Sequence, residues 1–141
     1  MAEKTISIKF EGYWRDENKS GVSAQSGVYC VYECKHNRAE GTVSLLTLIY
    51  IGEADNARER IANHEKHQDW LKHVRSGNEL CFSFGSVVSA DRERAEAAMI
   101  FKHKPPENEE YIYSFPFDRT TISLSGRTAL LKIYFIVERT E

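Results

Sequence analysis

Apolar and polar positions alternate over residues 5–10, placing Ile6, Ile8 and Phe10 on one side of an extended chain, so the pattern predicts a strand with one buried face. A polar loop follows over residues 15–26. Residues 28–33 and 45–51 are rich in β-branched and aromatic side chains, and the polar, glycine-containing link between them predicts an antiparallel hairpin. Asp55 stands where it can cap a helix beginning at Ala57 and running to about His64 or Lys66. A short helical stretch over 68–74 ends at Gly77, and a strand over 80–88 precedes a third helix, capped by Ser89 and spanning 90–103. Pro105 and Pro106 terminate that helix, because proline supplies no backbone N–H. Strands are expected again over 111–115, 120–124 and 129–137, the last two joined by a turn at Ser125 and Gly126. The predicted order is β-β-β-α-α-β-α-β-β-β: an α/β (α+β) chain with a small mixed or antiparallel sheet flanked by helices. A hairpin before the first helix excludes a doubly wound sheet.

At 141 residues the chain is long enough for one hydrophobic core and short for two, so a single domain is expected. The alternating start contains neither a signal peptide nor a membrane span, which predicts a cytoplasmic protein without membrane contact. Cys30, Cys34 and Cys81 are too few for a disulfide framework and read as reduced, packed residues; His36 near the first two completes no metal-ligand pattern. The net charge of −2 argues against nucleic-acid binding unless the basic residues are gathered in space. They do gather in sequence: Arg58, Arg60, Lys66, Lys72 and Arg75 lie among His64, His67 and His73, and Lys102, His103 and Lys104 form a second group.

Three features sit in a telling order. Gly27-Val28-Tyr29 and Tyr50-Ile51-Gly52 occupy the two hairpin strands, Arg60 lies ten positions after the second tyrosine, and Glu96 on the third helix is followed by Pro105 and Asn108. Over residues 27–108 this pattern resembles the GIY-YIG endonuclease superfamily. The N-terminal strand and the C-terminal hairpin, 111–138, lie outside the resemblance as additions to the family core. The resemblance implies a nuclease site of Tyr29, Tyr50, Arg60, His64, Glu96 and Asn108, with Tyr50 as general base or water-positioning group. It also implies one divalent cation, Mg2+ or Mn2+, on Glu96, with DNA as substrate.

The residue types suit that chemistry. Phosphodiester hydrolysis needs an activated water, positive charge on the phosphate oxygens and a stabilised leaving group. A single carboxylate such as Glu96 can hold Mg2+, which keeps several waters and is completed by substrate phosphate; the alternative for Glu96 is a salt bridge to a residue such as Arg60. The Arg60 guanidinium can take two phosphate oxygens at once, or remain an exposed helix arginine. A free phenol is about one part in a thousand ionised at pH 7, so Tyr50 needs help to lose its proton, and His64 is placed to give it. His64 and His73 can equally be structural. Asn108 can brace the loop that closes the site beneath Glu96. Arg58, Lys66, His73, Lys102 and Lys104 are the candidate nucleic-acid contacts.

Twenty residues separate Tyr29 from Tyr50, more than the tight hairpin of the family, and the excess is assigned to an insertion over 35–44 at the hairpin tip. Family nucleases often work with a separate DNA-binding or partner domain, so a separate targeting protein is one expected partner, and a homodimer joined through the extra strands is the other. The competing reading is a catalytically silent module that keeps the fold and binds nucleic acid or protein.

Overall fold

A computed structural model describes residues 2–140 of the chain. Six strands form one sheet: β1 (Lys4–Arg15), β2 (Gly27–Asn37), β3 (Thr42–Ala54), β4 (Glu79–Ser86), β5 (Thr120–Gly126) and β6 (Tyr134–Val137), ordered β3-β2-β4-β1-β5-β6. β1 and β5 are parallel and every other neighbouring pair is antiparallel, giving the mixed α+β architecture read from the sequence. Three helices complete it, α1 (Ala57–Ala62), α2 (His67–Leu71) and α3 (Ser89–His103), with a 3-10 segment over Asp16–Gly21. Among the described residues no helix is long and apolar enough to cross a membrane.

The centre of the molecule is β2, whose residues are buried without interruption from Gly27 to Cys34. Because side chains alternate between faces, Val28, Cys30, Tyr32 and Cys34 enter one apolar cluster with Ala95, Ala98 and Met99 of α3. Tyr29 and Val31 enter another with Ile61 of α1 and Trp70 of α2. The β1 side chains Ile6, Ile8 and Phe10 share the α3 cluster with Ile122, Leu124 and Phe135, so both terminal additions belong to the same core and sheet. The three cysteines are free and buried, as expected.

Two buried side chains pin the layers with hydrogen bonds. Glu33, fully buried, accepts from Thr47 Oγ1, Asn78 Nδ2 and the Arg75 guanidinium and backbone N–H, at 2.8 to 3.1 Å. This set of donors holds its carboxyl well below the usual carboxylate range. Arg94 of α3 donates to Thr120 Oγ1 at 2.7 Å and to the carbonyls of Ala2, Asp118 and Arg119, fixing the start of β5 against the helix.

Several local expectations change. Asp55 does not cap α1; Asn56 does, its Oδ1 accepting from the Glu59 N–H at 3.1 Å, while Asp55 is exposed and pairs with Arg92. α1 stops at Ala62, short of His64, because Asn63 leaves the helical conformation and its side-chain amide donates to the Glu59 carbonyl. Ser89 is the first residue of α3, after Val88, and makes no capping bond. Residues 111–115 form no strand: Tyr111 has a φ of 62°, and Phe115 is held by Thr140 through its N–H and carbonyl. The last strand is only Tyr134–Val137, because Leu130 at a φ of 64° and the Leu131 N–H bond to Thr128 make a turn before it. The excess over 35–44 is a continuation of the β2–β3 ladder to Asn37 and Thr42, with a four-residue turn, 38–41, at its end.

The β2–β3 register places Tyr29 opposite Gly52. A Cβ at Gly52 would lie 2.4 Å from the Tyr29 hydroxyl and ring, so the tyrosine crosses the neighbouring strand in space that only glycine leaves open. Gly52→Ala must displace a buried ring, and is expected to cost about 1–3 kcal/mol as overpacking does. Urea unfolding should show a lower midpoint at unchanged slope; an unshifted midpoint would mean that Tyr29 is free to move.

Candidate active site

The site lies where the β2–β3 hairpin meets its flanking helices. Tyr29 is buried and Tyr50 half-buried, with ring centroids 6.3 Å apart on the face covered by α1 and α2. His64, just beyond α1, packs edge-on against both, at 6.2 Å from Tyr29 and 5.4 Å from Tyr50, and Trp70 lies 4.4 Å behind it. An aromatic wall thus supports one side of the hairpin.

The hydrogen bonds of His64 define its role. Its Nδ1 accepts the Lys66 backbone N–H at 3.1 Å, so the neutral ring carries its proton on Nε2. That Nε2 is buried without a hydrogen-bond partner. Burial, reinforced by Arg60, pushes the imidazole down to about 4. His64 is therefore a neutral donor, and in this tautomer it has no free nitrogen with which to take the Tyr50 proton. Both phenols are themselves made weaker acids, Tyr50 pushed up to about 12 and Tyr29 well above its ordinary value; burial is the main cause, with Glu96 opposing ionisation and Arg60 favouring it.

Arg60 projects from α1 into a bidentate pair with Glu65, at 2.8 and 2.9 Å. Both partners are substantially solvent-exposed, so the pair is one that a phosphate can displace, typical exposed bridges being worth about 0–1 kcal/mol. Arg60 also lines a cavity of about 450 Å³ with Glu53, Asn63 and Arg92.

Glu96 comes from α3, on the opposite layer, and reaches a cleft of about 350 Å³ shared with Tyr50, Lys66 and Asn108. It makes no ion pair among the described residues, so the salt bridge to Arg60 weighed from sequence does not form. Burial, then the negative charges of Glu53, Glu110 and Glu93, push its carboxyl up to about 8. Glu53 itself is paired with Arg92, which also donates to Ser26 Oγ. Asn108 grips the free edge of β3 as another strand would: its Oδ1 accepts the Ile51 N–H at 2.9 Å and its Nδ2 donates to the Ile51 carbonyl at 2.8 Å. These two bonds tie the loop after α3 to β3.

The candidate nucleic-acid contacts are dispersed. Lys66 lines the Glu96 cleft and lies 3.7 Å from Glu109, and His73 is bound to Glu107 at 2.6 Å. Arg58 donates to the Val22 carbonyl, Lys104 sits 4.0 Å over the Phe101 ring, and Lys102 lines a separate cavity with Ile136 and Arg139. Glu65, Glu53 and Arg92 were not singled out in the sequence. Arg92 was within reach, four residues before Glu96 on one helix face; Glu65 was not, since its approach to Arg60 depends on the early end of α1.

No group of three or more His, Cys, Asp or Glu side chains among the described residues is arranged to hold a metal. A cation would rest on Glu96 alone, and an unpaired, half-buried carboxylate beside further acids fits a hard cation that retains most of its waters. No family model, curated protein or solved structure matches the chain.

The two shifted groups oppose each other in pH. His64, depressed from 6.5 to about 4, contributes stability that is present above 6.5 and lost as pH falls through 4. Glu96, raised from 4.5 to about 8, contributes stability that is present below 4.5 and lost as pH rises through 8. Between pH 6.5 and 8 only the Glu96 contribution is changing. In EDTA the Tm should therefore fall across that interval, and Glu96→Gln should flatten the fall; equal slopes for the two proteins would exclude a buried, proton-holding carboxyl.

Proposed function

We propose that this chain is a metal-dependent endonuclease that hydrolyses phosphodiester bonds in DNA, with a site of the GIY-YIG kind. The observation that carries the reading is the meeting of Tyr50 and Glu96, which has no ion pair among the described residues, in one cleft, with Arg60 close enough to favour ionisation of both Tyr50 and Tyr29. Residues from 29 to 96 supply it from four elements.

Each group has a task in the displacement. The Arg60 guanidinium exchanges Glu65 for two oxygens of the scissile phosphate and balances the charge added in the transition state. Tyr50, kept as a neutral phenol, orients the attacking water through its oxygen, and Tyr29 fixes the position of Tyr50 from beneath. The His64 Nε2–H, lacking an acceptor in the free protein, is available to donate to the Tyr50 oxygen or to substrate. Glu96 would hold Mg2+ or Mn2+, which would supply positive charge to the phosphate. Asn108 acts through β3, holding Ile51 and hence Tyr50 at the edge.

A silent binding module is the second reading, favoured by the Glu65 carboxylate already seated on Arg60. Plasmid nicking separates the two. Wild type should nick plasmid DNA with Mg2+ or Mn2+ and not in EDTA, while Glu96→Ala, folded by circular dichroism, should not. Arg60→Ala should lose about a hundredfold to a thousandfold in rate, as preorganised donors to a transition state do. Glu65→Gln, which removes the competing carboxylate, should raise kcat/KM. Absence of cleavage by wild type on plasmid, single-stranded and branched DNA would leave the binding module standing.

A further inference from the structure

A cavity of about 570 Å³, larger than the Glu96 cleft, lies not at the tyrosines but at the far end of the β2–β3 hairpin. Its walls come from three places: Tyr13, Trp14 and Arg15 at the end of β1, His36 and Thr42 at the hairpin tip, and Arg127 after β5. The chemistry of this lining differs from that of the Glu96 cleft. It contains arginine, histidine and aromatic side chains and no acid, in a chain with more Asp and Glu than Lys and Arg.

The lining is also fixed in place. The Tyr13 hydroxyl accepts the Ala129 N–H at 2.9 Å, and its ring stands edge-on to Tyr32 at 5.7 Å. Arg15 is held by Glu79 through two bonds of 3.0 Å, so its charge is already balanced. Arg127 is different: its backbone N–H is anchored on the Phe10 carbonyl, while its side chain makes no ion pair or hydrogen bond among the described residues. The His36 Nδ1 is shielded from solvent and has no hydrogen-bond partner. A fixed tyrosine ring, one free guanidinium and an imidazole at the hairpin tip describe a site for a planar group carrying an anion.

We propose that this cavity binds a nucleotide unit, with its phosphate on Arg127, its base against the Tyr13 ring, and its polar edge toward His36. Resting on the nuclease reading, the source is a single-stranded segment of the substrate. Val43 at the tip and Tyr50 at the cleft are seven residues apart on β3, roughly 23 Å at about 3.3 Å per residue. A strand advancing about 3.4 Å per nucleotide bridges this with roughly seven nucleotides. The second site thus anchors a strand whose cut falls a fixed distance away.

Binding of dAMP and of a labelled single-stranded 12-mer should be measured in EDTA, for wild type and Arg127→Ala, at several salt concentrations. Without turnover the result is independent of whether the Glu96 site is active. Arg127 is exposed, so its replacement should leave the thermal unfolding unchanged. The expected result is loss of dAMP binding and a salt slope for the 12-mer reduced by about 0.7, the value of one phosphate contact on a single strand. Loss for the 12-mer alone also supports the assignment and identifies the strand as the source. Loss for dAMP alone overturns the strand assignment in favour of a free nucleotide. No binding by wild type, or binding of both ligands unchanged in Arg127→Ala, overturns the site.

Discussion

Strand β2 is covered on both faces, and this double burial governs the arrangement of everything around it. A strand apolar on one face can rest against a single layer, but one buried on both needs a complete layer on each side. α3 supplies one and α1 with α2 the other. Side chains from opposite layers are then separated by the sheet, and they can meet only around an edge. β3 is that edge. Tyr50 reaches it from the α1 side and Glu96 from the α3 side, while Asn108 occupies the unpaired N–H and carbonyl of Ile51 that would otherwise invite another strand.

The same geometry explains the ionisation of the site. Glu96 is half-buried, with Glu53, Glu110 and Glu93 nearby, and burial first, then those charges, push its carboxyl up to about 8. Across the edge, the phenols feel both that carboxyl and Arg60, whose effects on them have opposite signs. Burial wins, since both phenols end above their ordinary range. A tyrosine in this setting is better suited to orienting a water than to removing its proton.

What could be read from sequence was the part set by periodicity. Ile6, Ile8 and Phe10 fall on one face of β1, and Val28 to Glu33 with Leu45 to Ile51 form the hairpin. Long-range choices were hidden. The parallel pairing of β1 with β5 leaves no local trace, and the alternation of 111–115 arises from two separate anchors in a turn. In the site, the tyrosines, Arg60, Glu96 and the bracing Asn108 were visible because each residue type has a limited range of uses. Glu65 was invisible, because its partner was decided by where α1 ends, and helix ends depend on single side chains such as Asn63. His64 was visible as a residue but not as a tautomer, which a backbone N–H two residues away determines.

The remaining tension is between an acidic chain and a polyanionic substrate. Overall charge is the wrong scale for it, since charges in water are screened beyond about 8 Å at physiological ionic strength. Within that range the acids do different things. Glu79 and Glu33 are consumed by Arg15 and Arg75, Glu53 by Arg92, and Glu107 by His73. Glu65 occupies Arg60 with the bidentate geometry a phosphate would use, at an exposed position where exchange is cheap. Glu96 alone among the acids at the cleft is both half-buried and without a cationic side chain, so it is the place where an added cation gains most. The acidity that would oppose DNA in general would thus favour, at this one point, the cation that the proposed reaction calls for.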